Sequence, residues 1–89
     1  MIKELVYTKH AIIEAQTDKF GLITLPAKLD LSKATKFNKN GSLVLKYSFD
    51  NKTDVCYVVR EAREKDKLVL ITVYRKLKEK HVKFIPSNN

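Results

Sequence analysis

Lys67-Leu68-Val69-Leu70-Ile71-Thr72-Val73-Tyr74-Arg75 is the stretch that decides how this chain folds. From Leu68 to Tyr74 the run is apolar on both sides of an extended backbone. A strand with no polar face to give to water is covered on both faces, which places it in the centre of a sheet. Working back from it, Glu64-Lys65-Asp66 reads as a turn, and Val55 to Arg63, rich in β-branched and aromatic residues, as the preceding strand. Asp50-Asn51-Lys52-Thr53-Asp54 is another turn. Before it, Leu43, Leu45, Tyr47 and Phe49 alternate with Ser42, Val44, Lys46 and Ser48, the pattern of a half-buried strand. Asn38-Lys39-Asn40-Gly41 is a hairpin signal, because Asn-Gly accepts the positive φ angles of a tight two-residue turn. Connections this short make these pairings antiparallel.

The N-terminal part reads differently. Thr8 is placed to cap a helix over 9–19, with Phe20-Gly21 closing it. Ile12, Ile13, Gln16 and Phe20 share one face of that helix, with Ala11 and Ala15 beside them. Residues 2–7 fit either a short strand or an extension of the helix. Over 22–36, Leu25, Leu29 and Ala34 fit a short helix started near Thr24, with Pro26 in its first turn. Leu29 and Leu31 alternate as a strand would, and the helix is the preferred reading. The expected fold class is α+β, with one or two N-terminal helices packed on a three- to four-stranded antiparallel β-meander. Residues 1–85 form a single domain, and 86–89 form a loose C-terminal end.

Composition narrows the function. The chain has 89 residues, enough for one small core and not for two. Eighteen Lys and Arg against ten Asp and Glu give a net charge of +8. The excess is greater toward the C-terminus. Residues 1–50 hold eight basic and five acidic side chains, and residues 51–89 hold ten and five. Such a field attracts phosphates and speeds encounter with them. The bland alternative is a charge that serves solubility alone. Cys56 is the sole cysteine and excludes an internal disulfide. No apolar stretch reaches the roughly 18 residues of a membrane span. The expectation is a cytosolic protein without a membrane partner.

Cofactor chemistry finds little support. His10, His81 and Cys56 are the only soft metal ligands, and no pair has a ligand spacing, so no metal is expected. The two glycines, Gly21 and Gly41, make no phosphate-binding loop. Neither a nucleophile elbow nor a paired-carboxylate motif appears. What remains is a set of basic and hydroxyl side chains, and RNA cleavage can run on those without a cofactor. The RNA 2′-hydroxyl attacks the adjacent phosphate. The protein moves protons and steadies the charge.

His10 is the candidate for proton transfer, since the first turn of a helix favours the neutral ring and attracts phosphate. Arg60, Arg63 and Arg75 are the only arginines, all on or beside the last two strands, and a guanidinium grips phosphate through a planar fork. Register decides which of them meet. A two-residue turn at Lys65-Asp66 sets Arg60 opposite Ile71 and puts Arg60 and Arg75 on one face. A turn one residue longer puts Thr72 and Tyr74 there instead. Tyr74 can stack on a base or share a proton. Arg75-Lys76-Leu77-Lys78-Glu79-Lys80-His81-Val82-Lys83 carries five cations and one acid and can follow a phosphate backbone, with Phe84 adding an apolar contact. The candidate catalytic set is therefore His10, Arg60, Tyr74 and Arg75. The candidate RNA-binding set is Lys9, Lys46, Arg63, Thr72, Lys76, Lys78 and Lys80.

Tyr7-Thr8-Lys9-His10-Ala11 opening a helix, with Leu70-Ile71-Thr72-Val73-Tyr74-Arg75 ending a long strand, resembles the RelE-like and BrnT-like ribonuclease toxins. The layout is similar over about residues 5–80, the residue types only in those two stretches. The resemblance implies a helix or two packed on a twisted antiparallel sheet. It also implies metal-independent RNA cleavage on the open sheet face, and often an antitoxin partner. Position by position, His10 matches the His of the helix-opening motif. Thr72, Tyr74 and Arg75 match the end of the last long strand, and Arg60 matches a basic position on the strand before. The family's helix arginines are missing here. Ile12-Ile13-Glu14-Ala15-Gln16-Thr17-Asp18-Lys19 holds none, and Glu14 and Asp18 repel phosphate. This departure favours the alternative function, a non-catalytic small phage or plasmid protein that binds nucleic acid or a host nucleic-acid-handling protein. A module that captures a protein by strand addition at a sheet edge is a third reading.

Overall fold

The computed structural model describes residues 1–17 and 23–78. In chain order the elements are β1 (Ile2–Tyr7), α1 (Lys9–Gln16), β2 (Lys28–Asp30), a single 3₁₀ turn (Leu31–Lys33), β3 (Thr35–Lys39), β4 (Ser42–Ser48), β5 (Thr53–Glu61) and β6 (Lys67–Leu77). The strands form one six-stranded sheet in the order β2-β1-β6-β5-β4-β3. All neighbours are antiparallel except β1 and β6, which run parallel. The fold is thus a mixed sheet with one short helix. It corrects the expected meander of three or four strands under one or two helices.

The C-terminal half follows the sequence reading closely. Asn40 and Gly41 take φ angles of 53° and 82°, as the β3–β4 hairpin requires of its two central residues. At the β4–β5 turn, the Asp50 carboxylate accepts from the Lys52 and Thr53 amides and the Thr53 hydroxyl, each at 2.8 Å. Those donors hold Asp50 below the usual carboxylate range. β6 is central, flanked by β1 and β5.

At the N-terminus one open reading is decided and two are corrected. Residues 2–7 form a strand, and its partner is β6 near the far end of the chain, with Leu5 opposite Leu68 and Tyr7 opposite Leu70. Residues 28–30 form a strand on β1, with Leu29 opposite Lys3, so the preferred helix over 22–36 is absent; the single 3₁₀ turn follows the strand. Asp30 caps that turn by accepting from the Ser32 amide. The helix is shorter than expected and turned. Ala11 and Ala15 are fully buried, while Ile12 and Ile13 are 39% and 47% exposed. Small residues let the helix axis approach the sheet, and this close approach overrides the larger isoleucines. The expected closure at Phe20-Gly21 lies outside the described residues, as does the C-terminal end from 79 onward.

The helix packs on one sheet face, the covered face; among the described residues no helix packs on the other, the open face, although Val44, Cys56 and Asp54 are buried on it. The core on the covered face joins Leu5, Ala11, Ala15, Ile23, Leu29, Leu31, Leu45, Val55, Tyr57, Val59, Leu68, Leu70 and Val73. Tyr57 and Tyr47 meet edge to face at 5.7 Å. The Tyr47 hydroxyl donates to the Asp30 carbonyl, and burial pushes its phenol up to about 12. Both rings serve the core, and Tyr47 satisfies its polar end in doing so.

Candidate nucleic-acid interface

The open face is assembled by strand alternation and one irregularity. Side chains of directly opposite residues in paired strands share a face. The β3–β6 register therefore puts Lys39, Ser42, Val44, Lys46, Asp54, Cys56, Val58, Tyr74 and Lys76 on the side away from the helix. The loop between β5 and β6 covers residues 62–66, closed by the Ala62 amide donating to the Lys67 carbonyl. This sets Arg60 opposite Val69, not Ile71. A register shift between Val58 and Val59 then leaves Ile71 as an extra residue, and Val58 faces Thr72. The bulge is held from outside the sheet. Thr8 donates its amide to the Leu70 carbonyl at 3.1 Å and its hydroxyl to the Ile71 carbonyl at 3.1 Å, while the same hydroxyl accepts from the Ala11 amide.

The consequence for the expected site is plain. Arg60, Thr72, Tyr74, Lys46 and Lys76 share the open face. Arg75 stands opposite Val55, on the helix side, with its guanidinium 4.1 Å from the centre of the Phe49 ring. His10 is exposed on the helix that packs against the covered face. The four residues expected to act in cleavage are therefore not brought together. Lys9 is exposed on the helix and Arg63 in the β5–β6 loop, each away from the open face's centre. Lys78 follows β6 directly, and Lys80 lies outside the described residues.

On the β1–β2 side of the sheet the open face carries Glu4 and Asp30; on the β3–β6 side its charge is organised around Asp54. On β3–β6 this face carries Lys39, Lys46, Arg60, Lys67 and Lys76 against one acid, Asp54. Asp54 is nearly buried. It meets the Lys78 ammonium at 3.0 Å and the Lys46 ammonium at 4.0 Å, and Lys78 also donates to the Ser48 hydroxyl at 2.7 Å. Lys67 is engaged elsewhere, by Glu64 at 3.1 Å and Glu4 at 3.7 Å. Lys39 reaches over the sheet to sit 5.5 Å from the centre of the Tyr74 ring. Burial pushes the Tyr74 phenol up, and the neighbouring Cys56 adds to the shift. Burial also raises the Cys56 thiol. Both stay protonated near neutral pH, so Tyr74 offers a ring and a hydrogen-bond donor rather than a base.

Sequence reasoning missed Lys39 and Asp54. Lys39 was legible only as part of a hairpin signal, and its contact with Tyr74 joins strands three places apart in the sheet. Asp54 was read as turn, whereas the strand begins at Thr53 and turns its carboxylate onto the open face.

Fold and face together define a small mixed-sheet α+β domain with a basic sheet surface on the side away from its described helix. Comparison with protein-family models, curated proteins and solved structures finds no match. Among the described residues no helix is long and apolar enough to cross a membrane, and no group of three His, Cys, Asp or Glu side chains is placed to hold a metal ion.

Proposed function

We propose that this protein is a cytosolic nucleic-acid-binding domain, with RNA as its first ligand, and that it binds on the open sheet face without cleaving. One observation carries the reading: Lys39, Lys46, Arg60 and Lys76 stand on that face of β3–β6 with one carboxylate, Asp54, around the Tyr74 ring, and no described helix lies over them. Ammonium and guanidinium groups neutralise phosphates, and an aromatic ring on the same surface accepts a base. Binding is favoured over RelE-like cleavage because proton transfer and phosphate capture need their groups within hydrogen-bond reach of one scissile bond. His10 and Arg75 stand on the covered side, away from Tyr74 and Arg60.

Fluorescence anisotropy with labelled RNA tests this. Affinity is expected at low salt and should fall linearly on a log–log plot as salt rises, with a slope of about −0.7 per phosphate neutralised on a single strand. Lys46→Gln and Lys76→Gln should each weaken binding and flatten that slope, while the RNA stays intact in EDTA. A protein that ignores RNA at low salt overturns the proposal. Cleavage in EDTA that is lost in His10→Ala returns the toxin-like reading.

A further inference from the structure

The open face is not uniformly flat. At its β3–β4 end lies a pocket of about 240 Å³, bounded by the hairpin on one side and by β6 on the other. Val44, fully buried, and Val58 give it an apolar floor. Tyr74 supplies an aromatic wall, Thr72 a hydroxyl, and Asn40 an amide. Asn40 is held at φ 53° by the tight turn, so its side chain is offered from a fixed backbone. The rim cation is Lys39, whose ammonium lies over the Tyr74 ring.

We propose that this pocket is a subsite for one unpaired nucleobase, which makes the domain a reader of single-stranded RNA. The inference rests on the nucleic-acid reading above and deepens it. A flat heteroaromatic ring suits an apolar floor with one aromatic wall, and the amide and hydroxyl meet the hydrogen-bonding edge of a base. Both groups of Asn40 serve, since the amide donates and its oxygen accepts. Lys39 covers the ring in the free protein. Its stem is flexible, so the ammonium swings from the ring to a neighbouring phosphate as the base enters. Tyr74 then exchanges a cation for a stacked base. A duplex hides the faces of its bases in its own stack and presents only phosphates to this surface, so it gains nothing from the pocket.

The test compares three RNAs of equal length by anisotropy at fixed low salt: a single strand, the same ribose-phosphate strand without bases, and a duplex. The single strand is expected to bind about tenfold more tightly than the abasic strand, the increment a single stacked base brings. Val58→Phe fills the pocket and keeps a strand-forming residue. It should erase that preference and leave abasic binding unchanged. Tyr74→Leu should also erase the preference, and thermal unfolding of both variants identifies any loss that comes from unfolding. Equal binding of the single and abasic strands overturns the base subsite while the phosphate surface stands. A preference that survives in a folded Val58→Phe also overturns it. Failure of all three RNAs to bind overturns the nucleic-acid reading itself.

Discussion

Asp54 is the residue on which the open face turns. It is the one acid among the cations of β3–β6 on that side, and it already holds Lys46 and Lys78. A carboxylate there organises two ammonium groups in the absence of ligand and competes with phosphate for them. Asp54→Asn keeps the shape and an oxygen that accepts from Lys78, but removes the charge. The variant should bind RNA more tightly at low salt, with a steeper salt dependence, because two ammonium groups become available to phosphates. Stability should fall by about 1–3 kcal/mol, because the buried carboxylate is a charged acceptor for two ammonium groups. Salt titration of wild type and variant checks both signs. Unchanged affinity would show that phosphates do not lie along this end of the face. Arg75 makes the complementary point. It has the charge to join the surface, yet its position opposite Val55 sends it to the other side, so residue type alone did not assign it.

At the scale of elements, α1 and the β6 bulge are a single construction. Thr8 caps the helix and, through its amide and hydroxyl, fixes the carbonyls of Leu70 and Ile71 where the register shifts. Thr8→Val preserves the branched shape and removes both hydroxyl bonds. The expected cost is about 1–2 kcal/mol in urea unfolding, and Thr8→Ser should retain most of the stability. A Val variant as stable as wild type would dissociate the cap from the bulge. The bulge is also where sequence reading stopped. The alternation in Ser42–Ser48, the Asn40-Gly41 turn and the Thr8 cap are local signals, and each was legible. Whether Arg60 joins Arg75 or joins Tyr74 depends on one unpaired residue, Ile71, which no local pattern marks. The sharing of a face by Arg60, Thr72 and Tyr74 was one of two open alternatives for that reason. β2 was hidden differently. Leu29 and Leu31 alternate as a strand would, but Lys28–Asp30 is too short for that alternation to outweigh Thr24 and Pro26, which imitate a helix start. The inward turn of Ala11 and Ala15 was obscured because a hydrophobic scale rewards Ile12 and Ile13.

At the scale of the molecule, the sheet is closed by its two ends. β1 pairs with β6 across a separation of 63 residues, as the Thr8–Ile71 bond measures it, and β2 pairs in turn with β1 alone. The C-terminal meander is therefore not a self-sufficient unit, despite reading as one. Without residues 1–7, β6 becomes an edge strand whose long apolar run is open to pairing with other chains. The same deletion leaves β2 without a strand partner and removes Leu5 from the core. A domain of this size has little stability to lose. A chain starting at Thr8 should show no cooperative urea transition and should aggregate at concentrations where the whole protein stays dispersed. Pairing so distant in sequence also makes the closure of the sheet slow, because loop entropy is lost before the contacts form. A sharp transition in the shortened chain, near the midpoint of the full protein, would show that the meander folds by itself. The open face would then owe nothing to the N-terminal strand.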